Sequence, residues 1–128
     1  MAHYLFNLTK TAPGQSLPDQ AAAFLRAGRW PIDSTEPHAL ALTSGDQVLI
    51  YLGPPDRVFI AHAELASPWT DATHDVLLTH IEHWTSPVPM ETVLAAIPPT
   101  ENAQADFPRA VVRITRTEYE SALSAATN

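Results

Sequence analysis

The run QVLIYLGPPDRVFIAHAEL at residues 47–65 contains two strand-forming segments separated by a turn. Residues 47–52 and 57–65 are rich in β-branched and aromatic side chains, which pack well on the pleated surface of a sheet. Between them stand a glycine, two prolines and an aspartate, residue types that favour a reversal of the chain. This stretch predicts a β-hairpin, and the other elements are assigned around it.

The segment before the hairpin predicts a short strand followed by a helix. Residues 4–8 are strand-forming, and Pro18 suits the first turn of a helix. Gly28 suits the left-handed cap that ends such a helix. Trp30 therefore falls just beyond the helix end, next to Pro31, where its flat ring can be held as a fixed stacking surface.

The rest of the chain predicts short elements. They are a helical piece over residues 37–44, a turn at 44–46, a loop over 67–73, a strand over 76–84, a helix over 89–97, a polar loop over 98–106 and a strand over 109–114. Thr117 with Glu120 three residues later is a capping-box pattern, which predicts a final helix. The expected fold class is α/β (α+β), a small curved barrel of about five to six strands with short peripheral helices.

Composition restricts the function classes. A chain of 128 residues with 45% hydrophobic residues suits one domain, residues 1–128, with one modest core. A net charge of −7 does not provide the basic face of a strong, non-specific nucleic-acid binder. The absence of cysteine excludes disulfides and a thiol nucleophile. No secretory signal or membrane-spanning run is visible, so a cytoplasmic protein with no membrane partner is expected.

Histidines and acidic residues raise an enzymatic or metal-binding alternative. His80, Glu82 and His83 lie close together in the sequence, as do His62 and Glu64. On a strand, however, His80 and Glu82 share a face while His83 points away, so only two ligands converge. The HExxH pattern is absent, and so are a phosphate-binding glycine loop and a nucleophile elbow. No catalytic residue, metal or cofactor is therefore expected.

Three runs resemble the EVE domain family, which has a PUA-like fold and is similar to YTH domains. They are RWPI at residues 29–32, LTSGDQVLIY at 42–51 and FIAHAEL at 59–65. Together with a first strand of the Tyr-Leu-Phe type and a final small helix, they follow the family's order across nearly the whole chain. Two positions depart from the pattern: Pro31 stands where the family usually has Gly, and Asn7 where a Lys commonly follows the first aromatics.

The resemblance implies non-catalytic recognition of a modified base in DNA or RNA through an aromatic cage. In this hypothesis Trp30 stacks on the base and Trp69 forms a second wall. The remaining implied site residues are base-edge readers, rim residues and phosphate contacts: Asn7 and Thr9, then Pro31, Ile32, Asp33 and Ser34, then Lys10 and Arg29. If Trp30 is such a wall, Trp30→Ala is expected to leave the fold intact while removing binding.

Each assignment has a structural alternative. Trp30 could be a hydrophobic plug that seals the helix end, Trp69 a loop anchor on an apolar surface, and Asn7 the partner of a turn amide. Trp84 is expected to be a partly exposed packing residue. For the whole protein, the alternative is a small-ligand-binding or protein-interaction module on the same scaffold. The loop over residues 98–106 is expected to be a solvated excursion, with a lid or a docking site for a partner protein as its alternatives. An effector protein partner is a further alternative.

Overall fold

The computed structural model describes residues 2–8, 16–32, 39–53, 57–69, 74–89, 92 and 111–127. Within these ranges the chain forms six strands, two helices with described bounds and one 3-10 turn, and Thr92 is also helical. In chain order they are β1 (His3–Leu8), α1 (Leu17–Ala27), β2 (Arg29–Pro31), the 3-10 turn (Ala39–Ala41), β3 (Gln47–Leu52), β4 (Val58–Leu65), β5 (Asp75–Pro89), β6 (Val111–Ile114) and α2 (Arg116–Thr127).

The six strands form one sheet in the order β2-β5-β4-β3-β1-β6. β1 and β3 run parallel, and the other neighbours are antiparallel. The sheet curls into a half-barrel with a short helix on each face. The predicted fold class, a small PUA-like α+β barrel, is confirmed.

The hairpin at the centre of the sheet is β3 with β4. Gln47 lies opposite Glu64 and Leu52 opposite Val58, with an irregularity in the pairing between Ile50 and Tyr51. This confirms the predicted hairpin, whose turn at residues 54–56 lies outside the described ranges.

Strand alternation separates two apolar clusters, one on each face of the sheet. On the first face, α1 packs against the even-numbered residues of β1, represented by Tyr4 and Phe6. On the second face, α2 packs through Tyr119 and Ala122 against a smaller cluster that contains Leu5. Side chains on opposite faces of the sheet therefore cannot line the same pocket.

The ends of α1 follow the predicted signals. The Oγ of Ser16 accepts a hydrogen bond from the N–H of Asp19 at 3.3 Å, and Pro18 lies in the first turn. Gly28 has a φ of +70°, a left-handed conformation, and its N–H donates to the carbonyl of Leu25 at 3.2 Å.

The capping box of α2 lies two residues before its predicted position at Thr117 and Glu120. The N–H of Thr115 donates to the Oε1 of Glu118 at 2.9 Å, and the N–H of Glu118 donates to the Oγ1 of Thr115 at 3.1 Å. Both pairs have the same spacing, so the sequence pattern alone could not separate them. Glu120 instead forms an ion pair with Arg116, one turn earlier.

Two other elements, β5 and β2, differ from the sequence expectations. The strand predicted over residues 76–84 extends to Pro89, so the helix predicted over 89–97 does not begin at 89. Trp30 lies in a short strand, β2, that the sequence did not predict. The remainder of the 89–97 prediction, apart from residue 92, and the loop over 98–106 lie outside the described ranges. No helix in those ranges is long and apolar enough to cross a bilayer.

Candidate functional site

The position of Trp30 is set by the backbone on both of its sides. Gly28 turns the chain out of α1, and its carbonyl accepts a hydrogen bond from the N–H of Leu78 at 2.8 Å. Trp30 then pairs with Val76 of β5. Side chains alternate along this short strand, so Arg29 and Pro31 are exposed while Trp30 points into the first apolar cluster.

Trp30 is 3% exposed and belongs to the core. Its ring stacks on Phe6, with the ring centroids 6.2 Å apart and the planes at 25°, and Phe24 meets it edge-on at 5.3 Å. This is the position of the hydrophobic plug, the alternative that the sequence left open. A base could stack on Trp30 only after part of this cover moves.

Trp69 is partly buried and fixed in orientation. Its Nε1 donates a hydrogen bond to the carbonyl of Ile32 at 3.0 Å. Its ring stacks on His74, with the centroids 5.9 Å apart and the planes at 18°. The N–H of Ile32 in turn donates to the carbonyl of His74 at 2.8 Å. We call Ile32, Trp69 and His74 the Trp69 site.

His74 is the member of this site that sequence reasoning missed. It is exposed and has a φ of +53°, a left-handed conformation that reverses the chain just before β5. No periodicity marks such a residue. The available signal was its place, five positions after Trp69 and directly before a predicted strand.

Asn7 lies on the other face of the sheet from Trp30. Phe6 and Leu8 belong to the first apolar cluster together with Trp30, whereas Leu5 belongs to the second. Alternation along β1 places Asn7 with Leu5. Asn7 is 6% exposed and its Oδ1 is buried. The structure therefore does not bring Asn7 and Trp30 into one pocket, and Leu8 is the residue of this strand end that shares the Trp30 face.

The predicted phosphate contacts are described in part. The side chain of Arg29 is 53% exposed, and its Nη1 lies 3.3 Å from the Oδ2 of Asp75. A phosphate at this position would share the guanidinium with that carboxylate. Pro31 is exposed at the end of β2. Four predicted residues lie outside the described ranges: Thr9, Lys10, Asp33 and Ser34.

The two histidines of the catalytic alternative with described contacts, His80 and His62, have different partners. The Nδ1 of His80 lies 3.5 Å from the Oε2 of Glu64, and the Nδ1 of His62 accepts a hydrogen bond from the Nε1 of Trp84 at 2.9 Å. Burial lowers the pKa of His62. In the part of the chain that the structure describes, no three His, Asp or Glu side chains are arranged to hold a metal ion. Trp84 is half-buried, as expected.

No protein-family model and no curated protein matches the sequence. Solved structures match it over nearly the whole chain. A hypothetical protein from Leishmania major has a TM-score of 0.72 at 15% identity, covering 99% of this chain and 95% of that chain.

Two further matching structures are known by a bound partner or by a domain name. Human THYN1, solved in complex with DNA that contains 5-methylcytosine, has a TM-score of 0.69 at 10% identity, covering 100% of this chain and 99% of that chain. An ASCH protein from Zymomonas mobilis has a TM-score of 0.60 at 13% identity, covering 96% and 94%. At these identities the likeness establishes the fold, which is PUA-like.

Proposed function

We propose that this protein recognises a modified base in DNA or RNA at the Trp69 site, without catalysing a reaction. The observation that carries the proposal is the fixed, partly exposed indole of Trp69, which is held by Ile32 and stacked on His74. The proposal is supported by the fold, because human THYN1 has the same fold and was solved with 5-methylcytosine-containing DNA.

A fixed aromatic ring suits base recognition for an energetic reason. Stacking a base on an aromatic side chain contributes about 1–3 kcal/mol, and burying an added methyl group about 0.8 kcal/mol more. The hydrogen bond from Trp69 to Ile32 holds the ring before a base arrives, so less side-chain entropy is lost on binding. The site thus favours a flat ligand and gains from a methyl group on it.

The aromatic cage is proposed in a modified form. Trp69, which is partly exposed, is the proposed wall, whereas Trp30 is buried and becomes a wall only if its cover opens on binding. Asn7 faces away and is left out of the pocket. Thr9 keeps its proposed role at the base edge, and Asp33 and Ser34 keep theirs at the rim. These roles follow from the EVE resemblance.

Because the chain is acidic, most of the binding free energy in this proposal comes from contacts with the base rather than with the phosphate backbone. With a net charge of −7 and Arg29 beside Asp75, the protein offers little attraction to a phosphate backbone. Lys10 and Arg29 remain the proposed phosphate contacts. In this proposal, an effector protein that carries the basic surface would hold the rest of the nucleic acid.

The test compares short dye-labelled oligonucleotides that differ in one base, with 5-methylcytosine against cytosine first, followed by other modified bases. Fluorescence anisotropy should show tighter binding of one modified base, by at least about fourfold for a single buried methyl group. Trp69→Ala should weaken that binding about tenfold or more. Trp84→Ala is the matched control, because Trp84 is also half-buried but lies on the other face.

Two results would count against the proposal. One is equal affinity for modified and plain oligonucleotides across the panel. The other is an equal loss of binding in Trp69→Ala and Trp84→Ala, since only the first variant changes the Trp69 site.

A further inference from the structure

An open groove of about 760 Å³ lies between α2 and the second face of the sheet. Three neighbouring strands each contribute one residue, and α2 contributes four. They are His3, Gln47 and His62 from the sheet, and Arg116, Tyr119, Glu120 and Leu123 from the helix. We call this the α2 groove. Its volume falls within the range of about 300–1,000 Å³ that is common for small-molecule sites.

The centre of the α2 groove is held by hydrogen bonds. The Oη of Tyr119 donates to the Oε1 of Gln47 at 3.2 Å, and the Nε2 of Gln47 donates to the Oε1 of Glu64 at 2.9 Å. The ring of His3 contacts that of Tyr119 at 4.9 Å. Burial raises the pKa of Tyr119 to about 12, so its hydroxyl stays neutral near pH 7. The floor is therefore aromatic and polar, and hydrogen bonds hold it in place before a ligand arrives.

His62 supplies a donor of defined position. Its Nδ1 accepts a hydrogen bond from the Nε1 of Trp84 at 2.9 Å. A ring nitrogen that accepts a hydrogen bond carries no proton, so the neutral imidazole has its proton on Nε2. That N–H is available for an acceptor on a ligand. Burial lowers the pKa of His62, which favours this neutral form.

Positive charge lies at the edge of the groove, although the chain as a whole is acidic. Arg116 is a lining residue with a side chain that is 79% exposed, and its Nε lies 2.8 Å from the Oε1 of Glu120. An exposed pair of this kind, one helical turn apart, is weak and easily exchanged. Burial lowers the pKa of His3, the charges of Arg116 and Arg113 lower it further, and Glu120 opposes this shift.

We propose that the α2 groove binds a small phosphorylated ligand with a planar ring, of the nucleoside monophosphate class. The ring lies against the imidazoles and Tyr119, one of its acceptors takes the Nε2–H of His62, and the phosphate replaces Glu120 as the partner of Arg116. A planar fork of donors suits phosphate oxygens. This site is on the opposite face from the Trp69 site and does not depend on it.

The experiment titrates the whole protein with the four common nucleoside 5′-monophosphates, their nucleosides and inorganic phosphate. NMR shifts of the His62 and His3 imidazoles and of the Gln47 and Tyr119 amides report occupancy. We expect saturable shifts with at least one monophosphate, and about tenfold weaker binding of the matching nucleoside because it lacks the charged contact.

Three variants test the assigned charges. Arg116→Gln should weaken monophosphate binding about tenfold. Glu120→Gln should strengthen it, because the variant frees the guanidinium and removes a repelling carboxylate. Arg26→Gln, which removes an exposed arginine from α1 on the other face, is the matched control and should change nothing.

Several outcomes would overturn the proposal. They are no saturable shift with any monophosphate at millimolar concentration, equal effects of Arg116→Gln and Arg26→Gln, and weaker binding in Glu120→Gln. If inorganic phosphate bound as tightly as the monophosphates, the planar ring would contribute nothing to binding, which contradicts the proposed ligand class. Shifts confined to Trp69 and His74 would mean that the monophosphate binds at the Trp69 site instead. A loss of oligonucleotide binding in Trp69→Ala tests the Trp69 site alone and says nothing against the α2 groove.

Discussion

The indole N–H of Trp69 donates to the backbone carbonyl of Ile32 at 3.0 Å, which joins the segment after β4 to the end of β2. The N–H of Ile32 also donates a hydrogen bond to the carbonyl of His74. One side chain thus links two segments that are distant in sequence. This hydrogen bond and the stacking on His74 together orient the proposed stacking surface.

Trp69→Phe keeps an aromatic ring but removes the donor. We expect a loss of about 1 kcal/mol in the free energy of unfolding, the usual value of one such hydrogen bond. Urea titration measures it. Selectivity between methylated and plain oligonucleotides should also fall, because the ring is no longer fixed. A variant with unchanged selectivity would show that orientation by Ile32 is not needed.

Trp30→Ala should strongly destabilise the protein. Removing a buried Trp side chain that packs on Phe6 and Phe24 costs about 3–5 kcal/mol. This expectation is opposite to the intact fold that the cage hypothesis predicts for the same variant. Leu40→Ala is the control, because Leu40 is 86% exposed and its loss should cost less than about 0.5 kcal/mol. Urea unfolding of both variants distinguishes the two expectations.

Thr115→Ala should lower the free energy of unfolding by about 1 kcal/mol, because it removes the oxygen that accepts the N–H of Glu118. Thr117→Ala is the matched control, with the same chemical change two residues later and inside the helix. A larger effect at Thr117 would contradict the observed capping box.

Acid should destabilise the fold before its carboxylates titrate. Burial lowers the pKa of both His3 and His62 below the ordinary 6.5, so the unfolded chain binds more protons than the folded one below that pH. Their contribution to stability is complete above pH 6.5 and is lost as pH falls through the folded-state pKa values. Urea midpoints at pH 7.5 and 5.5 measure the loss, and His62→Gln should reduce it. A midpoint that rises on acidification would refute the assignment.

Oligonucleotide binding should depend weakly on salt. With Lys10 and Arg29 as the proposed phosphate contacts, the logarithm of the binding constant should fall against the logarithm of salt concentration with a slope of about −1 to −2. Arg29→Gln should reduce its magnitude by about one. A steep slope would mean that cations elsewhere on the protein hold the backbone.

Local sequence signals predicted the hairpin and the end of α1, because each depends on residues that are neighbours in the chain. β2 was not predictable in this way. It has three residues, includes Pro31, and exists because Trp30 pairs with Val76 of a strand far along the chain. Tertiary pairing of this kind leaves no periodicity in so short a segment.

The extent of β5 was missed for a related reason. Pro87 and Pro89 argue against a strand interior, since proline cannot donate to a neighbouring strand. Among the strands that the structure describes, β2 pairs with the start of β5, and the later part of β5 pairs with β4 only, so the prolines there interrupt no described pairing on the other side. The sequence shows the prolines but not this arrangement of neighbouring strands.

The candidate site was predictable in its residue types but not in its geometry. Trp69 and Ile32 were both identified, and the structure joins them by a hydrogen bond. The EVE resemblance implies a place for Asn7 in the pocket, although counting alternate residues from Phe6 places it on the other face. His74 enters through a left-handed backbone conformation, which composition does not reveal.

The place of β1 in the sheet has a consequence for synthesis of the protein. β1 lies between β3, which follows it after α1 and β2, and β6, which is the last strand of the sheet. A nascent chain that has emerged only as far as β5 therefore presents one side of β1 with its amides and carbonyls unmatched by β6. Such an edge invites pairing with another chain. Chaperone capture of the growing polypeptide would be most useful in the interval before β6 leaves the ribosome.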